Sequence, residues 1–377
     1  MRVLVLNAGS SSLKGSIVDS VDLRTIAKDE VSLGVDATRR HGLERTVRGL
    51  LRKLQVGGGQ EIDAVGHRVV HGGTRYRSAT RIDDRVLKGI ESLAEFAPLH
   101  NRIALLAMHA ARKLVPNIPQ VAAFDTAFHA GLAPDQFIYP VPWRWYREYG
   151  IRRFGFHGLS VEWSTDRAAE LLGRPKAEIA LIVAHLGSGC SVTAVLDGRS
   201  VATSMGLTPM EGLMMGTRSG SIDPGILLYM LRTRRAGWRE LEEALDHHSG
   251  LTGVYGRAAG MREIEAAARM GNKRAKLAID MFTGRTAAAI AAATTTLPRL
   301  DALVFTGGIG EHSTLIREAV VRRLVPLGLR PHPDPPPQAG EGHADPGGSR
   351  TLVVEAREDA VIARQTAALL RSGRGRA

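Results

Sequence analysis

The sequence predicts an α/β protein of two lobes with a repeated internal plan, and three observations carry that prediction. At 377 residues the chain is long enough for two domains. Short apolar runs closed by Gly-rich junctions, at "NAGSSS", "VGHRVVHGG", "LIVAHLGSGCSVTAV" and "ALVFTGGIGEHS", alternate with helical patterns. Two of these runs, "VLVLNAGSSSLKGSIV" and "ALIVAHLGSGCSVTAV", share one form of apolar strand, Gly/Ser turn and apolar strand, the mark of a duplicated lobe.

The elements follow in order. Val3 to Leu6 and Leu13 to Val18 read as two strands flanking "NAGSSSLK", so a hairpin is expected rather than the strand-to-helix junction of a G-x-x-x-x-G-K-[ST] loop. "GHRVVHGG" reads as a strand, which separates His67 from His71 by roughly 13 Å and argues against a shared metal. "IALLAMHAARKLV", "SVEWSTDRAAELLG" and the Ala-rich stretch from Glu263 to about Leu297 read as helices. "RPHPDPPPQAGEGHADPGGSR", with its prolines and glycines, reads as a surface loop, and "TLVVEAREDAVIARQTAALL" closes the chain with a strand and a helix.

Composition narrows the function. With 44% hydrophobic and 23% charged residues, and no apolar run long enough for a membrane helix, a water-soluble protein is expected. The lone Cys190 excludes an internal disulfide, and with no secretory pattern at the N-terminus the expected location is cytoplasmic. The net charge of +12 comes from 8 lysines and 42 arginines scattered along the chain, a pattern simpler to ascribe to coding preference and anionic substrates than to nucleic acid.

Several stretches have the residue types that handle anions. In "NAGSSSLK" the serine hydroxyls, turn N–H groups and Lys14 suit a phosphate cradle, with a serine-rich surface hairpin as the alternative. Arg68 suits bidentate binding of a carboxylate or phosphate, or a structural ion pair. "TSMGLTPMEGLMMGTRSGSIDPG" combines many glycines with Arg218 and few other charges, which fits backbone folded around a ligand or an irregular core crossover. Asp125, His129 and His157 are open to catalytic or structural roles, and "ALVFTGGIGEH" lets a backbone run against a base or phosphate.

Taken in order, "LVLNAGSSSLK" at 4–14, "GHRVVHGG" at 66–73, "APLHN" at 97–101, "FDTAFH" at 124–129, "RRFGFHG" at 152–158, "TSMGLTPMEGLMMGTRSG" at 203–220, "NKRAKLAIDMF" at 272–282 and "VFTGGIGEHS" at 304–313 resemble the acetate kinase family. The resemblance implies two lobes of duplicated ribonuclease H-like topology, as in the actin, sugar kinase and chaperone ATPase superfamily, with the active site in the interlobe cleft. It implies residues 1–130 plus a helix at 360–377 as the N-terminal lobe and 131–359 as a nucleotide-binding and dimerisation lobe. It also implies Mg2+-dependent, reversible transfer of a phosphoryl group from ATP to acetate, with Mn2+ as alternative ion, by a homodimer that binds neither nucleic acid nor membrane. The alternatives are a kinase for propionate or another short-chain carboxylate, or a nucleotide-binding sensor without turnover.

Residue by residue, the resemblance places Asn7 and Glu358 at the metal and Ser10, Ser12 and Lys14 on phosphates. It places Arg68 and Arg218 on the carboxylate and moving phosphoryl group, with His157 beside them and Asp125 as the catalytic acid that orients metal and substrate. Val70, Leu99, Phe156 and Pro209 correspond to the acetate pocket. His185, Leu186, Gly187, Ser188 and Gly189, then Gly260, Met261 and Arg262, then Gly308, Ile309, Gly310, Glu311 and His312, correspond to nucleotide-binding stretches. The sequence departs from the family pattern at Val161 (a histidine there), Ser188 and His312 (asparagines) and Gly260 (an acid), and the stretch from Lys14 to Arg68 is shorter than is usual in the family.

Overall fold

The computed structural model describes residues 1–9, 12–33, 40–95, 98–329, 342–343 and 350–374. It divides into two compact units, one of Met1–Ala130, Phe156–Trp163 and Arg357–Ala377, the other of Gly131–Gly155 and Ser164–Ala356. Among the described residues no helix is long and apolar enough to cross a membrane.

The first unit is built on six strands, β1 (Arg2–Ala8), β2 (Ser12–Asp19), β3 (Thr25–Ser32), β4 (Ala64–Val69), β5 (Thr80–Arg81) and β6 (Gln120–Phe124), in the order β3-β2-β1-β4-β6-β5. β1, β4 and β6 run parallel, and β2 and β3 fold back antiparallel at one side. Strands buried on both faces need continuous apolar sequence, which "VLVL" in β1 and "QVAAF" in β6 supply. The edge strand β3 instead alternates and carries Lys28, Asp29 and Glu30, charges that discourage pairing with another sheet. The strands that meet at "NAGSSSLK", β1 and β2, do pair as an antiparallel hairpin, and the Gly9 N–H donates to the Ser12 carbonyl at 2.9 Å.

The second unit repeats the plan with β7 (Ala180–Leu186), β8 (Cys190–Leu196), β9 (Arg199–Thr203), β10 (Ala302–Thr306), β11 (Gly342–His343) and β12 (Arg350–Val353). Its order, β9-β8-β7-β10-β12-β11, and its strand directions match those of the first sheet strand for strand. The duplication read from the two hairpins therefore extends to whole sheets. The Ala-rich stretch is not one helix but two, Met261–Arg269 and Lys273–Thr294. Gly271 at φ 88° turns the chain out of the helix, and the Asn272 side chain caps the second one by accepting from the Ala275 N–H.

The helix Glu358–Arg374 covers one face of the first sheet, where Val361, Ile362 and Ala363 pack with Val3, Val5, Ala64 and Ala123. Its approach depends on Gly66 in β4, because a Cβ there would stand 2.6 Å from Ile362 Cγ2 and 2.8 Å from Thr366 Oγ1. Gly66→Ala is therefore expected to destabilise the first unit by about 1–3 kcal/mol through overpacking. Denaturant unfolding of the purified variant measures this, and an unchanged midpoint contradicts the packing described.

Candidate active site

In the first unit, three parallel strands end side by side, and their last residues bring charge together. Asn7 is near the end of β1, Arg68 near the end of β4, and Asp125 directly follows β6, where its N–H donates to the Val69 carbonyl at 2.9 Å. Arg68 grips Asp125 with both edges of its fork, Nε to Oδ1 at 3.0 Å and Nη2 to Oδ2 at 2.6 Å. Its remaining nitrogen, Nη1, donates to Asn7 Oδ1 at 3.2 Å and lies 3.3 Å from Glu358 Oε2. Asn7 Nδ2 donates to the same Glu358 oxygen at 3.0 Å. Burial opposes the Arg68 charge, but the Asp125 and Glu358 carboxylates more than offset it and hold the guanidinium above its ordinary pKa.

Asp125 also locates the segment that carries His157. The Gly158 N–H donates to the Asp125 carbonyl at 3.0 Å, an approach so close that a Cβ at Gly158 would collide with that carbonyl. His157 itself adopts φ 58°, the left-handed region that few side chains tolerate. The buried Phe156 is held by its carbonyl, which meets the His129 ring nitrogen at 3.0 Å, and by the His71 ring, 5.5 Å away and edge-on. Burial keeps His129 neutral, with its pKa down near 4. Val70, buried, immediately precedes His71, and Asn101 ties down the His71 backbone by accepting from its N–H and donating to its carbonyl.

Lys14 stands opposite Asn7 in the hairpin register, so both project from the same face of the sheet. The Lys14 ammonium is exposed, 3.9 Å from Glu30, and Ser12 opens β2. Ser10 lies outside the described residues, as does the Leu99 side chain and most of the Pro-rich stretch 331–350. Val161 is fully buried on the helix Gly158–Leu172, so the departure there puts an apolar side chain into packing.

In the second unit, glycine turns follow neighbouring parallel strands. His185 and Leu186 end β7, and the turn Gly187, Ser188, Gly189 closes with the Gly187 N–H donating to the Gly189 carbonyl at 3.0 Å. Beyond β10 the short helix Gly307–His312 begins at Gly307, φ 77°, packed against the Leu186 backbone with no space for a side chain. That helix includes Gly308, Ile309, Gly310, Glu311 and the exposed His312. Ser313, directly after it, donates to Glu265 at 2.5 Å, which ties in the helix that Gly260, Met261 and Arg262 begin. Cys190 donates to the Gly187 carbonyl, and burial pushes its thiol up to about 12, so it is packing rather than a nucleophile.

Residues 204–223 have no regular secondary structure, as the glycine-rich sequence suggested. The Gly216 N–H donates to the Ser188 carbonyl at 3.0 Å, which fastens this stretch to the first turn. Arg218 Nε donates to Asp246 Oδ1 at 2.7 Å, and its Nη1 lies 3.4 Å from the Pro209 carbonyl. The start of the stretch hangs on Arg153, whose Nη1 donates to the carbonyls of Thr203, Ser204 and Met205 at 3.1, 2.9 and 3.0 Å, while Nη2 meets Glu211 at 2.7 Å. Tyr139 donates to Glu211, and its oxygen accepts the Leu207 N–H at 2.9 Å.

Arg68 and Asp125, flagged separately in the sequence, are thus partners, whereas Arg68 and Arg218 belong to different units. Asp246, Arg153, Tyr139 and Glu211 were not read as site residues. Arg153 and Glu211 lay within matched stretches, but nothing local marks Asp246, 28 positions beyond its arginine.

An arginine and carboxylate cluster at the strand ends of one unit and glycine turns at the strand ends of its duplicate define a phosphotransferase class of α/β protein. The sequence matches the model of the Acetokinase family over residues 24–364. It is 42% identical to an acetate kinase of Halothermothrix orenii, over 99% of this chain and 100% of that one, and 41% identical to one of Deinococcus radiodurans, over 100% and 99%. Among solved structures, a propionate kinase from Francisella tularensis superposes with a TM-score of 0.85 at 33% identity, covering 97% of this chain and 99% of that one. The Porphyromonas gingivalis acetate kinase gives 0.85 at 32%, covering 98% and 99%. The chain belongs to the acetokinase family.

Replacing Arg153 by Met strands three carbonyls and Glu211, and is expected to lower the stability of the second unit by about 1–3 kcal/mol. Arg153→Lys should lose nearly as much, since an ammonium cannot span that fork. Thermal unfolding followed by tryptophan fluorescence checks both variants.

Proposed function

We propose that this protein is an acetate kinase that transfers the γ-phosphoryl group of ATP to acetate, reversibly, giving acetyl phosphate and ADP. The observation that carries the reading is the Arg68 cluster, in which Asn7, Asp125 and Glu358 converge on one guanidinium. A carboxylate substrate is already ionised near neutral pH and needs no general base. What the site must do is bring anions together and offset the charge spread over the transferring oxygens.

The chain's own groups divide that work. Arg68 and Arg218 hold the acceptor carboxylate and the moving phosphoryl group, with His157 donating to the developing charge. Lys14, Ser10 and Ser12 contact phosphates from the hairpin. The stretches His185–Gly189, Gly260–Arg262 and Gly308–His312 hold the nucleotide, and Val70, Leu99, Phe156 and Pro209 shape an apolar pocket for the methyl group. Asp125, fixed by Arg68, orients the acceptor. A donor set of the Glu358 carboxylate and the Asn7 amide oxygen suits magnesium, which takes hard oxygen ligands and is commonly held by one or two carboxylates plus substrate phosphates. Asn7 and Glu358 would hold it, and when bound it supplies neutralising charge at the phosphate oxygens.

Propionate is the second reading, favoured by the likeness to the Francisella tularensis propionate kinase. An apolar pocket separates acids differing by one methylene by only about 1–3 kcal/mol. Incubation with Mg-ATP and acetate, propionate or butyrate, with hydroxylamine to trap acyl phosphate, ranks the acids. ATP binding without any acyl hydroxamate would leave a nucleotide sensor instead. Arg218→Ala should lower kcat by roughly 10²–10³-fold with ATP affinity nearly unchanged, and an undiminished rate overturns its role.

The active form is a homodimer in the cytoplasm. The helix Pro224–Thr233 buries none of its residues, yet presents Ile226, Leu228, Tyr229 and Leu231 to solvent, with Trp238 exposed shortly beyond it. Apolar faces of this kind mark association surfaces. The aromatic helix Trp143–Tyr149 also has no buried residue, which places its tryptophans at the surface rather than in a core. Light scattering should give twice the chain mass of 40.6 kDa, and Leu228→Glu should shift the species toward a single chain. A single-chain mass for the unaltered protein at micromolar concentration refutes the dimer.

A further inference from the structure

Arg218 projects from an irregular stretch, so its guanidinium needs an external restraint to meet a transition state in one geometry. The structure supplies one from the helix Trp238–His247. Asp246, the penultimate residue of that helix, accepts from Arg218 Nε at 2.7 Å, and both side chains are more than four-fifths withdrawn from solvent. Such a pair resists the screening that makes exposed ion pairs weak.

The backbones behind the pair are bonded into one frame. Thr217 Oγ1 donates to the Asp246 carbonyl at 2.8 Å, the Ser219 N–H to the Leu245 carbonyl at 3.1 Å, and the Ser249 N–H to the Thr217 carbonyl at 2.8 Å. The Met215 N–H donates to the Arg218 carbonyl at 3.1 Å, and Leu251 and Thr252 donate back to Met215 and Gly216 at 2.9 Å each. Gly250, at φ 60°, sits where a Cβ would strike the Met215 carbonyl and come within 2.6 Å of that of Arg218. The position of the carboxylate relative to the Arg218 Cα is therefore set by main-chain bonds on both sides.

We propose that Asp246 is the positioning residue of Arg218, pinning the Nε edge so that the guanidinium meets the phosphoryl group through its terminal nitrogens. The inference rests on the phosphoryl-transfer reading for the role of Arg218. A long side chain anchored at Nε keeps one plane and loses little further freedom when its terminal nitrogens engage an oxyanion. Nη1, 3.4 Å from the Pro209 carbonyl, fixes the sense of that plane. His247 Nε2 lies 3.8 Å from the second Asp246 oxygen, beyond hydrogen-bond distance, so the bond to Arg218 Nε is the short contact of this carboxylate.

The test compares Asp246→Ala with Asp246→Asn, which keeps an oxygen to accept from Nε. Asp246→Ala is expected to lower kcat by about a hundredfold, as small misplacements of catalytic groups do, with the KM for ATP little changed. Asp246→Asn should recover most of the rate. An independent reading comes from the arginine Nε–H signals in a 1H–15N spectrum, where that of Arg218 is assigned by its loss in Arg218→Lys. A slowly exchanging signal should be present in the unaltered protein and in Asp246→Asn, and lost in Asp246→Ala. A folded Asp246→Ala protein with unchanged or raised kcat overturns the proposal, as does an Nε–H signal indifferent to the substitution. If the unaltered protein makes no acyl phosphate, the kinase reading fails, and the signal alone still decides whether Asp246 holds Arg218.

Discussion

The bidentate pair of Arg68 and Asp125 is the constraint on which the first unit's site depends. Taking both charges largely out of water costs several kcal/mol per ion, and only near-ideal geometry with further hydrogen bonds offsets it. The pair has that geometry, at 3.0 and 2.6 Å, and Asn7 and Glu358 occupy the remaining guanidinium nitrogen. Because Asp125 also receives the Gly158 N–H through its carbonyl, the same residue fixes the His157 segment. One ion pair thus aligns contributions from β1, β4, the end of β6, the His157 turn and the final helix.

The second unit solves a different problem. Its irregular stretch has no ladder to hold it, so side chains replace backbone pairing. Arg153 collects three consecutive carbonyls, Glu211 is shared between Arg153 and Tyr139, and Asp246 takes Arg218. A glycine-rich segment is costly to order, and these contacts are what make it a single conformation. Long-range coupling of this kind lets a segment be both close-fitting and irregular.

How far the sequence revealed this follows from the range of each signal. The opening hairpin, the both-face-buried strands and the duplicated plan were legible because apolar runs and glycine turns are local patterns. The break at Gly271 was not, since alanines on either side masked one residue with positive φ. Asn7, Arg68 and Asp125 lie in matched stretches and Glu358 was placed by the resemblance alone, but their convergence on one guanidinium is a property of strand order, which no spacing displays. Asp246 had no local mark at all: an aspartate near the end of a helix is ordinary until its partner is known.

The placement of Glu358 has a consequence for how the molecule comes into being. It lies 351 positions from Asn7, and its helix covers a sheet face formed by Val3, Val5, Ala64 and Ala123. Leu159 and Trp163, on the helix Gly158–Leu172, pack against the same face, and Val361, Ile362 and Ala363 complete its cover while Glu358 adds the last carboxylate to the Arg68 cluster. The intervening second unit, with its own sheet, is synthesised first. Closing so long a loop is a late step in folding. The Arg68 cluster therefore gains its Glu358 carboxylate only as that helix docks over Gly66, so the cover of the sheet and the charge balance of the cluster are completed in one step.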